Sequence, residues 1–399
     1  MWETPPLRAL EEAVRDPKSF IGMRMRAAYF LRHHYDNAIR NGGEGEGEGE
    51  GEGEGEGEGG SVARRAIGLL AEGLADARHG SLLRHEFAYV MGQLRDERCC
   101  PALEAALSDP DDDVMVRHEC GEALGAIGAE RSVPVLEGAI GLSPDTPEIG
   151  QTCQLALDHL LWRRGGGDGS GTDEPAACAC MLSPYSSVDP APPHPDHAAL
   201  PEEVVGDMLG DPDRPLFERY RAMFSLRNRG GADAVRQLGL ALTTDRSSAL
   251  LRHEVAYVLG QMQHPAAVEA LAESLRRPGE HAMVRHESAE ALGAIEGRWD
   301  DCERILTEFL DDPDVVIRES CEVALDAADY WGQGGERAEA EAETEPGSGQ
   351  DGKGGEGDGE GGAALSFVRQ KAVTNGRGAE APSCSLAKEG RMSHFNVAV

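Results

Sequence analysis

"MVRHECGEALGAI", residues 115–127, returns as "MVRHESAEALGAI" at residues 283–295, identical at 11 of 13 positions. The offset is 283 − 115 = 168 residues. A second pair keeps it: "LLRHEFAYVMGQ" at 82–93 and "LLRHEVAYVLGQ" at 250–261 agree at 10 of 12 positions, and 250 − 82 = 168. Cys153 in "TCQLAL" and Cys321 in "SCEVAL" repeat the offset again. The chain is therefore an internal duplication, and its fold must be one that can be built twice.

A shorter period runs inside each copy. His85 to His118 is 33 residues, and so is His253 to His286. Periods of this length mark helical hairpins, which stack because one hairpin alone cannot bury its apolar face. The units are rich in Ala, Leu, Arg and Glu, all good helix formers. Phe87, Val90, Met91 and Leu94 fall at i, i+3, i+4 and i+7, one apolar helical stripe. Asp-Pro turns such as "SDPDDD" and "DDPD" separate the hairpins and supply helix caps. Gly92, Gly125, Gly260 and Gly293 are expected where neighbouring helices approach closely. The expected fold is all-α: an α-solenoid of hairpin repeats in two duplicated halves with pseudo-twofold symmetry.

An earlier, poorer repeat precedes each half. "RMRAAYFLR" (24–32) matches "RYRAMFSLR" (219–227) at five of nine positions, with an offset of 219 − 24 = 195. That exceeds 168 by 27 residues, and the surplus lies at "NGGEGEGEGEGEGEGEGEGG", residues 41–60. This run has nothing apolar to bury, so a disordered insertion is expected there. The expected domains are an N-terminal half at 1–164, a flexible Gly/Pro/Ser/Asp-rich linker at 165–200, a C-terminal half at 201–332, and a low-complexity, mostly disordered tail at 333–399.

The 399 residues carry 38 Lys+Arg against 72 Asp+Glu, a net charge of 38 − 72 = −34. This argues against nucleic acid or an anionic membrane as partner and suits a cationic substrate. Eight of the acids sit in the Gly-Glu run and say nothing about a binding face. No apolar stretch is long enough for a membrane span. "MWETPPLRAL" lacks the basic-then-apolar layout of a signal peptide. The nine Cys are scattered and odd in number, reading as free thiols of a reducing, cytoplasmic compartment. Cys178 and Cys180 form a C-x-C that reads as linker composition.

Each long repeat carries His-Glu after an Arg: His85-Glu86, His118-Glu119, His253-Glu254 and His286-Glu287. Each is expected in the first turn of the second helix of its hairpin. One such pair would be an ordinary solvated face. Four at one structural position are not, because the flanking repeats near 24–32 and 148–160 have none. Stacked helices lie about 8–10 Å apart, so two pairs in one half converge, and the pseudo-twofold brings the other two opposite. Mixed imidazole and carboxylate donors without Cys favour iron or manganese over a structural zinc. Eight ligands suit two ions, in the vocabulary of carboxylate-rich di-iron sites between helices. No H-E-x-x-H occurs: the fourth residue after each His is Tyr89, Glu122, Tyr257 or Glu290. Tyr89 and Tyr257 read as core packing, with a substrate-side role as the alternative. Met115 and Met283 read as lining or packing residues. His33, His34, His159 and His264 lack the repeated context and read as ordinary.

Two halves of HEAT-like repeats bearing "LLRHExAYxLGQ" and "MVRHExxEALGAI" resemble the deoxyhypusine hydroxylase family. The resemblance covers about 20–164 and 201–332 and includes all four pairs with their spacings. It implies an oxygen-dependent di-iron mono-oxygenase with two ferrous ions per chain and O2 as co-substrate. The implied partner is the deoxyhypusine-bearing precursor of translation initiation factor 5A, acted on by a monomer. His85, Glu86, His118, Glu119, His253, Glu254, His286 and Glu287 are then the implied metal set, with Glu86 and Glu254 also the candidate catalytic carboxylates. Which Glu ligates iron and which meets the substrate amines stays open. The alternatives are a non-catalytic HEAT-repeat scaffold and a bilin-lyase-like HEAT protein.

Overall fold

The computed structural model describes residues 4–42, 58–142, 145–165, 167 and 183–343. Among them are sixteen α-helices and no strand. They pair into hairpins: α1 (Leu7–Arg15) with α2 (Ile21–Gly42), α3 (Glu58–Ala75) with α4 (Gly80–Leu94), α5 (Cys100–Ser108) with α6 (Val114–Ile127), and α7 (Val133–Leu142) with α8 (Pro147–Arg164). The second set is α9 (Glu202–Gly210) with α10 (Leu216–Arg229), α11 (Gly231–Thr244) with α12 (Ala249–Met262), α13 (Val268–Arg276) with α14 (Ala282–Ala294), and α15 (Trp299–Thr307) with α16 (Val315–Glu343).

The hairpins form two layers. First helices such as α13 bury one face only, whereas α6 is buried at Met115 through Gly121 and again from Ala123, on every side. A helix buried all round belongs to an inner layer. Inner helices pack in succession, α2 on α4 on α6 on α8 and α10 on α12 on α14 on α16. The halves then close on each other at two seams, α8 against α10 and α12, and α16 against α2 and α4. Ser248 Oγ donates to Gln151 Oε1 at 2.7 Å across the first seam. Across the second, Arg26 pairs with Asp326 and lies 4.5 Å from the Tyr330 ring centre. The inner helices thus surround a centre to which both halves contribute.

Two local devices hold neighbouring hairpins in register. A Cβ on Gly125 would meet that of Ala156 at 2.8 Å, and one on Gly293 would meet that of Ala324 at 2.8 Å, so these glycines let α6 reach α8 and α14 reach α16. The second device explains the Arg before each His. Arg84 Nε donates to the Leu74 carbonyl at 2.6 Å, and its two terminal nitrogens grip Asp112 at 2.6 and 2.5 Å. Arg285 repeats this on the Leu275 carbonyl (2.9 Å) and Asp312 (2.6 Å), and Arg117 on the Leu107 carbonyl (3.2 Å). Arg252 instead grips Glu280 at 2.6 Å. The arginines point away from the centre and bind the end of the preceding helix or the next hairpin's turn, which leaves His and Glu to face inward.

Three expectations change. Each His sits in the second turn of its helix, because α4, α6, α12 and α14 begin four or five residues before it. The linker reading fails for residues 183–200: Ala191 and His197 are buried, and Pro195–Ala199 forms a 3-10 turn. The last helix continues eleven residues into the expected tail, to Glu343, through an Ala- and Glu-rich stretch. The expected insertion is bounded by α2 at Gly42 and α3 at Glu58; residues 43–57, the C-x-C pair and 344–399 lie outside the described residues. Six cysteines, Cys99, Cys100, Cys120, Cys153, Cys302 and Cys321, are free and buried. No helix among the described residues is long and apolar enough to cross a membrane.

Candidate metal centre

Helices α4, α6, α12 and α14 carry the four imidazoles to one point. His85, His118, His253 and His286 are each at most 5% exposed. Within the halves the ring centres are 5.4 Å (His85–His118) and 5.3 Å (His253–His286) apart. Across the halves they are 5.1 Å (His118–His253) and 5.2 Å (His85–His286) apart. The 33-residue spacing makes the first contacts and the 168-residue duplication the second.

The carboxylates of the pairs join them. Glu119 Oε2 lies 3.1 Å from His85 Nε2, and Glu287 Oε2 lies 3.3 Å from His253 Nε2, the same contact in each half. Neither has hydrogen-bond geometry: all eight ring nitrogens are buried without a hydrogen-bond partner among the described residues. Buried polar atoms are rarely left in that state, since each forgoes water without replacement. Glu86, Glu119, Glu254 and Glu287 are likewise at most 4% exposed.

Two further carboxylates line the same cleft, Glu122 and Glu290, alongside Tyr29 and the Tyr89–Tyr257 pair. Burial pushes the Glu86 carboxyl up to about 7 and those of Glu119 and Glu122 up to about 8. Burial also raises Glu254 and Glu290, and drives the His118 and His286 imidazoles well below their ordinary value and His85 below it. The cavity by itself opposes charge on every one of these groups. A divalent cation resolves both conflicts at once, accepting neutral imidazole lone pairs and compensating carboxylate charge. Three groups bring their donor atoms within 4.8 Å of one another: His85, His118 and His253; His253, His286 and Glu287; His118, Glu119 and Glu122. The donor set fits a metal, and iron or manganese rather than a thiolate-preferring ion.

All eight sequence-derived residues are therefore gathered at one place. Sequence reading missed Glu122 and Glu290, which it used only to exclude a zinc motif, although both stand at the same place in the 168-residue repeat. It missed Tyr29, whose hydroxyl donates to Glu86 and whose counterpart in the poorer repeat is Phe224. Tyr89 and Tyr257 pack against the core, as expected, and also line the cleft wall, where their hydroxyls meet at 3.0 Å. Met115 and Met283 are buried, as lining or packing residues should be. His264 caps a 3-10 turn, and His159 borders a second, small cavity rather than the centre. Residues 187–190 of the supposed linker also line the cleft.

Comparison with known proteins agrees with the fold. The HEAT-repeat family matches residues 65–157, 203–293 and 235–326. Deoxyhypusine hydroxylase of Mus musculus is 43% identical over 268 residues, covering 66% of this chain and 81% of that one. The Xenopus laevis deoxyhypusine hydroxylase is 48% identical over 269 residues, 67% of this chain and 82% of its own. The solved structure of human deoxyhypusine hydroxylase in complex with glycerol matches with a TM-score of 0.65 and 42% identity, over 81% of this chain and 96% of that one.

Proposed function

The chain belongs to the deoxyhypusine hydroxylase family, and from that premise we propose that it completes hypusine by a dioxygen-dependent, di-iron hydroxylation of deoxyhypusine on the precursor of translation initiation factor 5A. The activity class follows from membership: the chain is an oxidoreductase that hydroxylates in hypusine synthesis, not a passive scaffold or a bilin-lyase-like protein. The single observation that supports the metal is the set of eight buried ring nitrogens without a hydrogen-bond partner among the described residues, gathered beside a cleft that six glutamates line.

His85, His118 and Glu119 would hold one ion, and His253, His286 and Glu287 the other. The two sets are related by the duplication, and each contains its own short imidazole–carboxylate approach, 3.1 Å and 3.3 Å. Bound there, two irons supply activation of dioxygen for insertion of one oxygen into an unactivated C–H bond. Glu86 and Glu254 remain as the carboxylates that meet the substrate's amines, whose positive charge an acidic, desolvated pocket attracts. Tyr29 orients Glu86 by donating to it. Tyr89 and Tyr257 narrow the cleft beyond the imidazoles and steer a thin, unbranched side chain inward. The chain acts as a monomer, since both halves of the site are intramolecular, and in the cytoplasm, where its thiols stay reduced.

The test is to supply purified protein with ferrous iron, dioxygen and a deoxyhypusine-bearing protein, and to follow hypusine by mass spectrometry. The expected result is a gain of one oxygen on the modified lysine that is abolished by an iron chelator. Chelator-insensitive turnover would refute the metal assignment, and absence of product with iron bound would refute the hydroxylase reading.

A further inference from the structure

The connector between the halves is more than a tether. Residues 187–190 supply Ser187, Val188, Asp189 and Pro190 to the cleft wall. Val188 N–H donates to Gln93 Oε1 of α4 at 2.9 Å, and Ser187 Oγ accepts from Gln261 Nε2 of α12 at 2.9 Å. Gln93 and Gln261 are duplication counterparts, two helical turns beyond His85 and His253, about 12 Å along the helix. The segment therefore crosses the pseudo-twofold at the outer end of the cleft and touches both halves.

One buried arginine fixes it there. Arg227, its side chain fully buried, grips Asp189 through both terminal nitrogens, NH1 to Oδ1 at 2.8 Å and NH2 to Oδ2 at 2.5 Å. NH1 also donates to Gln261 Oε1 (2.8 Å) and NH2 to Ser183 Oγ (3.0 Å). The guanidinium lies between the rings of Phe224 and Tyr185, 4.6 and 4.8 Å from their centres. Ser187 Oγ donates to Asp189 Oδ1 at 2.8 Å, so both Asp189 oxygens are engaged inside the clamp. Asp189 thus serves the wall and offers no free charge to an incoming amine.

The clamp is not a by-product of repeat packing. Arg32 stands where Arg227 stands in the matching helix of the first half, yet its NH1 is buried without a hydrogen-bond partner among the described residues. Arg227 also reaches the neck of the cleft: Gln261 Nε2 donates to Tyr257 OH at 2.9 Å, and Tyr257 meets Tyr89 at 3.0 Å. We infer that residues 187–190, held by the Asp189–Arg227 clamp, form a substrate-selecting wall that aligns the entering side chain against Tyr89 and Tyr257 and rejects branched or bulkier ones. This rests on the hydroxylase reading for the identity of that side chain; Arg227 and Asp189 are positioning residues.

The test uses full-length, iron-loaded Asp189→Ala, with Asp189→Asn as the milder variant should the first not fold. Four quantities are read: KM and kcat for the deoxyhypusine-bearing protein, iron per chain, hydrogen exchange at residues 187–190, and the rate ratio between ordinary deoxyhypusine and one with a methyl branch on its aminobutyl portion. A close-fitting wall discriminates one methyl by about tenfold or more, so freeing it should shrink that ratio by most of this factor. KM should rise about tenfold while kcat falls far less, the pattern of lost uniform binding. Exchange at 187–190 should quicken, iron should be unchanged, and Asp189→Asn should lie between wild type and Asp189→Ala. Faster exchange with unchanged KM and unchanged discrimination would overturn the inference, leaving the clamp merely structural. Loss of iron would also overturn it, because the connector would then serve the metal centre. Inactive but iron-loaded wild type is a separate outcome that strikes the hydroxylase reading instead, and the exchange and iron readings of the variants stay interpretable.

Discussion

Replacing Arg84 by Ala should destabilise the protein strongly, although Arg84 touches neither metal donor nor substrate. The Arg84 and Asp112 side chains are 11% and 9% exposed and joined at 2.5 Å, with a second hydrogen bond to the Leu74 carbonyl at 2.6 Å. Removing one partner of such a pair strands the other charge in a poorly solvated place, which costs about 3–5 kcal/mol. An exposed pair would be worth about 0–1 kcal/mol. At roughly 2 °C per kcal/mol for a chain of this size, the melting point should fall by about 6–10 °C. The assay is thermal and urea unfolding of Arg84→Ala, Asp112→Ala and the double variant. The double variant should cost much less than the sum of the singles, because it leaves no unpaired charge. Because Arg84 also sets the rotation of α4, iron affinity should weaken in Arg84→Ala while His85 remains intact. A loss under about 1 kcal/mol, or single costs that simply add, would refute the register role given to these arginines.

Other substitutions test the packing and the electrostatics. Gly125→Val should cost about 1–3 kcal/mol by urea unfolding, since a Cβ there already meets Ala156 at 2.8 Å. Gly138→Ala, in α7 with nothing within 4 Å of a new Cβ, should stabilise by about 0.8–1 kcal/mol. Burial lowers His197 from 6.5 to about 4, with His194, Arg221, Arg229 and Arg214 adding to the effect. The unfolded chain then takes up this proton first as pH falls, so stability should drop from pH 6.5 down through about 4. His197→Gln should flatten that slope in pH-dependent unfolding. Co-expressed fragments 1–167 and 183–399 should reconstitute hydroxylation, 1–164 with 201–399 should do so poorly for want of the wall, and either half alone should be inactive.

The fold was legible because a duplication writes itself twice: the 168-residue offset and the 33-residue period fix which helices stack and which face each other. The eight His and Glu residues were legible for the same reason, as an unusual pair kept at one register position four times. Residues 183–200 were not. Their Pro, Ser and Asp content describes a chain without its own helix or strand, but says nothing of a buried Arg227 thirty-eight positions after Asp189 that grips it. Glu122 and Glu290 repeat as faithfully as the pairs do, yet a Glu four residues after a His reads as an ordinary helix face until the cavity is seen. Tyr29 lies in the poorest repeat and has Phe224 for a counterpart, so the duplication gave it no emphasis. The helix starts were misread by a turn: Asp113, Ser248 and His281 cap α6, α12 and α14 five residues before each His, and α4 opens without a side-chain cap, on His79.

The central claim is that both halves of the duplication close on one metal centre, and metal content per chain tests it most directly. Elemental analysis of protein purified without added chelator should give two irons per chain for the wild type. His118→Ala and His286→Ala should each give about one or fewer, with folded structure retained by circular dichroism. Full iron content in either variant, or a fully active wild type without iron, would contradict the account.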